Sequence, residues 1–341
     1  MFGISSRIIP VLQLTRMALV FTALSNSLCA YLLLAKHRAD LSGVESYLTL
    51  VNWWHVSAIV VMSSGLYGFG MSLNDIIDHR RDKLISPNRP LPSGRVNIYT
   101  AHAICAMFLI AALVAGYLYS SRTPQRDMVL LLLLWTAALI AFYDFAGKYL
   151  VSAGILSLGL IRFFHATIPA GKLILVWHPL LLLNHMTILS LMCYWLEAKR
   201  PPLTKVHWWT VLLGLILADA MCLGYVWWRM DRSFDIARLF ERLALDVKLL
   251  YPMIAVIGFA ALAFWIKRTQ RDSRASGQSI MLAGLLWLIV YDVVFIAAYV
   301  DWLTAMAHLV LLPTAYGAVK MMRWWSRIVV LAQKPVYQRA R

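Results

Sequence analysis

Charge is scarce in this 341-residue chain: Asp, Glu, Lys and Arg make up only 14% of it, against roughly a quarter in an ordinary soluble domain. A charge-coated soluble globule is therefore excluded. Acids are scarcer still, 16 Asp and Glu against 32 Lys and Arg, so any cluster of carboxylates stands out. Only four cysteines occur, Cys29, Cys105, Cys193 and Cys222, without metal-ligand spacing, and no disulfide or cysteine metal centre is inferred. Solenoid repeats, low-complexity tracts and a lipidation motif are absent. The first apolar run is too long for a signal-peptide core and lacks a small-residue cleavage site, so it is expected to be retained.

Apolar residues fill the space, at 61% of positions. Runs long enough to cross a bilayer, about 20 residues each, lie near 11–35, 48–73, 97–120, 128–147, 150–176, 178–196, 207–229, 247–266 and 279–300, with a possible tenth near 302–322. They are continuous rather than alternating, and lipid cannot satisfy backbone hydrogen bonds. Helices, not barrel strands, are expected. The fold predicted is an all-α polytopic bundle of about nine transmembrane helices, or ten with the run near 302–322, forming one domain over residues 1–341.

Lys and Arg concentrate in alternate loops: 79–95, 199–205 and 267–274, then the C-terminal tail. By the positive-inside rule these face the cytoplasm. The opposite segment 229–246 interleaves arginines with acids and reads as interfacial. Trp53-Trp54, Trp208-Trp209, Trp227-Trp228 and Trp324-Trp325 fall at expected helix ends, as an interfacial aromatic belt does. The net charge of +16 follows from the same loop bias and attraction to anionic lipid, so nucleic acid is not expected as a partner.

Against this background, Asn74, Asp75, Asp78 and Asp82 spell N-D-x-x-D-x-x-x-D near the end of the second run, followed by Arg89-Pro-Leu-Pro-Ser-Gly-Arg95. Steps of three and four return to one helix face, so the carboxylates are expected to stack and repel. Mg²⁺ relieves such repulsion, binding one or two carboxylates while leaving positions for phosphate oxygens. The alternative is a solvated helix end neutralised by Arg80, Arg81 and Lys83.

These residues resemble the first aspartate-rich motif of the UbiA superfamily of intramembrane prenyltransferases, and Tyr143, Asp144 and Lys148 are similar to its Tyr-x-x-x-x-Lys element. The resemblance implies a ring of about nine helices around a central cavity with a cytosolic polar cap, and Mg²⁺-dependent transfer of a prenyl group from a prenyl diphosphate. It implies Asn74, Asp75, Asp78 and Asp82 as metal ligands, Lys148 and Tyr143 beside Asp75 and Asp78 as catalytic residues, and Arg89 as a diphosphate clamp. Tyr67, Phe69, Tyr143 and Tyr194 are the aromatic rings nearest the cap, candidates to face an allyl cation. The chain departs from the family after the sixth run: a second acidic motif is expected there, yet the sequence reads Trp195-Leu-Glu-Ala-Lys-Arg-Pro-Pro202. Only Glu197 remains as a candidate metal ligand. Lys199 and Arg200 either bind diphosphate in place of a second ion or are ordinary positive-inside residues.

Charges deep in a span must face the bundle interior. Arg162 is a further candidate for diphosphate binding; Asp219 is expected to pair with it, and Asp292 to pair elsewhere. His165 and His185 read as satisfied interior histidines. The acceptor is expected to be aromatic, quinone-like or lipid. Cyclisation of the prenyl chain without an acceptor and non-catalytic binding of polyprenyl phosphates are the alternatives. The D-G-x-x-A-R opening of CDP-alcohol phosphotransferases is absent. A multi-pass protein of a bacterial cytoplasmic membrane, its cap facing the cytoplasm, is the expected setting.

Overall fold

A computed structural model of the chain describes residues 5–171, 175–199, 201–229 and 245–332. The described residues are helical, without strands. In chain order the helices are α1 (Ser5–Leu14), α2 (Val20–Ser42), α3 (Trp53–Ile77), α4 (His79–Ile85), α5 (Ile98–Ser120), α6 (Arg126–Phe145) and α7 (Val151–Thr167). They continue as α8 (Trp177–Leu196), α9 (Lys205–Trp228), α10 (Leu250–Thr269), α11 (Ser273–Tyr299), α12 (Trp302–Leu309) and α13 (Leu311–Ala332). Nine stretches among the described residues are long and apolar enough to cross a membrane, which makes the chain a multi-pass membrane protein.

Two expectations change in detail. The run at 150–176 yields only the 17-residue helix α7, whose C-terminal turn is followed by Pro169 and by Gly171 at φ +60°. The possible tenth run is present as Trp302–Trp325, but broken between α12 and α13. Pro313 accounts for the break, because its ring clashes with the carbonyl four residues back, that of Leu309. The interfacial reading of 229–246 falls mostly on residues 230–244, which lie outside the described residues.

Polar side chains begin the helices where the apolar pattern starts. Asn52 accepts from the Trp54 amide to cap α3, Asn97 from Tyr99 to cap α5 and Asp272 from Arg274 and Ala275 to cap α11, each satisfying donors the helix leaves unpaired. Helices in lipid gain nothing from hydrophobic transfer against one another; close packing of small residues holds them instead. At Gly65 of α3 an added Cβ would lie 2.7 Å from the Phe108 carbonyl oxygen and 2.9 Å from the Ala112 nitrogen of α5. At Gly159 of α7 it would meet Thr187 and the Leu183 carbonyl of α8. Ile59, Met62, Leu66, Ala112 and Leu133 are buried where α3, α5 and α6 meet, and Leu182, Leu189, Ile280 and Leu288 where α8, α10 and α11 meet.

The deep charges are absorbed by hydrogen bonds. Asp292 of α11 accepts from Ser25, from Asn26 Nδ2 at 2.8 Å and pairs with His178 Nε2 at 2.7 Å; Ser25 also meets His308 Nε2 at 2.8 Å. Cys29 Sγ lies near the same carboxylate, but three donors already satisfy it, as a buried charge requires. Asp219 does not pair with Arg162: it accepts from Asn184 Nδ2 at 3.0 and 3.2 Å, while Arg162 donates to Thr22 at 3.0 Å and Asn26 at 3.4 Å. His185 is satisfied on both nitrogens, by the Gly284 carbonyl and Tyr291. His165 is satisfied only on Nε2, by Ser63, and its Nδ1 is buried without a partner.

The polar segments share one end of the bundle. Lys148 reaches Asp78, Ser152 at the start of α7 donates to the His207 carbonyl of α9, and Ser273 at the start of α11 donates to the Leu196 carbonyl closing α8. The opposite end is tied by Tyr47 with Asp301, Tyr119 with the Pro169 carbonyl, and Arg122 over the Trp54 ring.

Candidate active site

The acidic motif sits where α3 passes into α4. Asp78 is the junction residue, with φ −78° and ψ −2°, flatter than a helical residue. This bend divides the expected single row of acids into two groups. Asp75 and Asp82 are both buried, at 4% exposure, and share Arg89, which donates to Asp82 and lies 3.8 Å from Asp75. Asn74 and Asp78 turn instead toward Lys148, whose Nζ lies 3.3 Å from Asn74 Oδ1 and 3.0 Å from Asp78 Oδ1.

Arg89 is held by the loop after α4. Leu91, 3% exposed, plugs a small core with Leu14, Val96 and Ala101, and the Val96 amide bonds the Pro90 carbonyl. Gly94 turns the chain at φ +75°, a left-handed conformation that glycine adopts without cost. Arg95 then ties the loop to α1, donating to Gln13 Oε1 at 3.1 Å, to the Asn88 carbonyl at 2.5 Å and to Ser93 at 3.0 Å. The Arg-Pro-Leu-Pro-Ser-Gly-Arg stretch is thus a brace that holds the Arg89 guanidinium at its start against Asp75 and Asp82.

Two participants escaped the sequence reading. Arg16, between α1 and α2, donates to Asp75 Oδ1 at 3.2 Å from a left-handed backbone at φ 46°. That conformation is uncommon for a residue with a Cβ, and Tyr67 helps hold it by donating to the Arg16 carbonyl at 3.3 Å. Asp144, at the end of α6 and 1% exposed, lies 3.6 Å from Lys148 Nζ. Its Oδ1 is buried without a hydrogen-bond partner. A positive-φ arginine gives no sequence signal, and Asp144 stands out in the sequence only as a neighbour of Tyr143 and Lys148.

The other candidates fall elsewhere. Tyr143 is half-buried beside Asp144. Phe69 is packed into the α3–α5–α6 core, so its ring face is occupied, and the Tyr194 hydroxyl donates to the Pro201 carbonyl. Glu197 pairs with Lys199 at 3.2 Å and packs against Gly277; no hydrogen bond or ion pair joins it to the first acidic cluster among the described residues. Arg162 bonds Thr22 and Asn26 rather than those acids. Arg200 lies outside the described residues. The solvated-end alternative does not describe Asp75 and Asp82, which are buried, nor their partners, which are Arg16 and Arg89 rather than Arg80, Arg81 and Lys83.

Four carboxylates, Asp75, Asp78, Asp82 and Asp144, therefore face three cations, Arg16, Arg89 and Lys148. The donor set is all oxygen, carries surplus negative charge and contains a buried oxygen, Asp144 Oδ1, that accepts no hydrogen bond. That is the environment a hard divalent cation such as Mg²⁺ takes.

The model of the UbiA prenyltransferase family matches residues 46–171, the segment that carries the motif, the brace, Asp144, Lys148 and Arg162 but not Arg16 or Glu197. Digeranylgeranylglyceryl phosphate synthase of Sulfurisphaera tokodaii is 32% identical over 119 residues, 28% of this chain and 42% of that protein. The protein of the same name from Methanococcus aeolicus is 40% identical over 47 residues, 14% and 17% of the two chains. The chain thus matches less than half the length of these relatives. A solved structure of digeranylgeranylglyceryl phosphate synthase superimposes with a TM-score of 0.54 at 15% identity, covering 86% of this chain and 99% of the other, and a UbiA homolog from Archaeoglobus fulgidus with 0.50 at 12%, covering 85% and 99%; at these identities the likeness is one of fold. Over residues 46–171 the chain is similar in sequence to the UbiA family of membrane prenyltransferases, and over most of its length it shares the fold of the two solved structures.

Proposed function

We propose that this protein transfers a prenyl group from a prenyl diphosphate to a hydrophobic acceptor, using Mg²⁺. The observation that carries the reading is the pairing of four inward carboxylates with three basic side chains at one end of a membrane bundle: acids for a metal, and bases for a polyanion, held in contact. The relatives' name, digeranylgeranylglyceryl phosphate synthase, denotes a product with geranylgeranyl groups on a glyceryl phosphate, and favours the lipid among the acceptors expected from sequence. The positive loops favour a cytoplasmic cap.

Asn74, Asp75, Asp78 and Asp82 would hold the metal, which when bound neutralises the diphosphate and makes it a better leaving group. Arg16, Arg89 and Lys148, already within reach of those acids, turn to the diphosphate oxygens. Arginine suits phosphate through its two-pronged donors and lysine as a point charge. They stabilise the negative charge that grows as the allylic carbon–oxygen bond breaks and its electron pair stays with the leaving oxygen. Tyr67 and Tyr143, half-buried at the cluster, present ring faces to the allylic cation. The acceptor's electron pair then forms the new bond to carbon, and the acceptor loses its proton.

The test is release of pyrophosphate from geranylgeranyl and farnesyl diphosphates by purified protein, with and without Mg²⁺ and a membrane lipid extract, beside Asp75→Ala and Asp78→Ala. Metal-dependent release that needs extract, and falls by about 10²-fold or more in both variants, supports transfer. Release without extract favours cyclisation. Binding without release makes the protein a polyprenyl-phosphate binder.

A further inference from the structure

Lys148 occupies a place shaped for a cation. Three side-chain oxygens from two helices converge on its Nζ: Asp78 Oδ1 at 3.0 Å, Asn74 Oδ1 at 3.3 Å and Asp144 Oδ1 at 3.6 Å. The last is an ion pair too long for a hydrogen bond, which leaves Asp144 Oδ1 buried without one, a costly state for a carboxylate oxygen. Lysine is a flexible, strongly hydrated point charge, suited to holding such a place and giving it up. Asp75 and Asp82 form a separate pocket around Arg89. The acid expected from sequence to bind a second ion, Glu197, is instead paired with Lys199 and packed against α11.

We propose that Asp144 is a metal ligand, forming with Asn74 and Asp78 a second divalent-cation pocket that stands in for the acidic motif missing after α8. Two ions then share the 74–82 segment, one between Asp75 and Asp82 and one among Asn74, Asp78 and, from α6, Asp144. Entry of the second ion displaces Lys148, whose ammonium is freed for an anion bound at the cap. The proposal deepens the prenyl-diphosphate reading, but the pocket's existence does not depend on turnover.

The test counts Mn²⁺, a paramagnetic stand-in for Mg²⁺, by loss of the free-ion EPR signal on titrating the full chain in lipid nanodiscs, with and without inorganic pyrophosphate. Wild type should bind two ions and Asp144→Asn one, the second weakened by more than the roughly 10–100-fold that loss of an outer partner costs elsewhere. Glu197→Gln should keep both. Lys148→Gln, which removes the competing charge, should tighten the second ion in the absence of pyrophosphate; misfolding cannot mimic a gain in affinity. One ion in wild type, two undiminished ions in Asp144→Asn, loss of an ion in Glu197→Gln, or unchanged affinity in Lys148→Gln each overturns the assignment. If the counts hold but no prenyl diphosphate is cleaved, the pocket stands and the transferase reading falls. Turnover with undiminished ions in Asp144→Asn sinks the pocket alone.

Discussion

Arg89 bridges Asp75 and Asp82, two acids seven residues apart on either side of a helix junction. One guanidinium from a loop thus ties α3 to α4. Arg89→Ala should lower pyrophosphate release by about 10²–10³-fold, the usual cost of one preorganised donor to developing charge. Arg89→Lys should recover little, because the shorter lysine side chain does not reach the point that Arg89 Nη1 occupies between the two acids and offers a diphosphate a point charge in place of forked donors. Full activity in the lysine variant would show that the bridge is incidental.

Arg95 acts at one remove. It touches Gln13, Asn88 and Ser93 rather than the acids, so Arg95→Gln should loosen the loop that carries Arg89. The expected result is faster proteolytic cutting within 86–95 and about tenfold less activity, a smaller loss than Arg89→Ala. Unchanged proteolysis would contradict the brace.

Gly65 lets α3 lie against the backbone of α5. Gly65→Val places a branched side chain where even a Cβ would come within 2.9 Å of backbone atoms, and overpacking of this kind costs about 1–3 kcal/mol. The melting temperature in detergent should fall. Activity should fall with it, because the acids follow on the same helix, Asp75 ten residues on.

Asp292 is the hub of a buried network. Asp292→Ala leaves Ser25, Asn26 and His178 without their acceptor, and breaking a buried charge network costs about 3–5 kcal/mol. Asp292→Asn, which retains acceptor capacity, should cost less. Equal melting temperatures for the two variants would place the stabilisation elsewhere.

Asp301 caps α12 between spans. Burial opposes its ionisation, but hydrogen bonds from Tyr47, from Thr304 and from the Leu303 amide outweigh burial and hold the carboxyl below its ordinary value. Burial first, and then Asp301, push the Tyr47 phenol up to about 12, so it stays a donor at neutral pH. A depressed carboxyl stabilises the fold above its unfolded value, near pH 3.9, and the contribution fades as pH falls through the folded value. Asp301→Asn should therefore melt lower than wild type at pH 7, and the gap should narrow below about pH 4. A gap constant down to pH 3 would exclude an ionic contribution.

The sequence by itself determined the helical membrane class, because lipid leaves continuous apolar runs no other way to satisfy their backbone. It also determined the first acidic motif, since carboxylates in so apolar a chain demand a partner. Local spacing carried Asn74–Asp82 and Tyr143–Lys148. It did not carry what closed the site. The bend at Asp78 divides a row that ideal periodicity places on one face. Arg16, 59 residues before Asp75, arrives through the path of α1 into α2, and Asp144 and Asp78 share Lys148 only because α6 ends beside α3. Glu197, the acid chosen by motif position, turns to Lys199 instead. Helix spacing along one segment is fixed by backbone geometry, whereas the meeting of charges from separate helices depends on how those helices pack, and only the tertiary structure decided that.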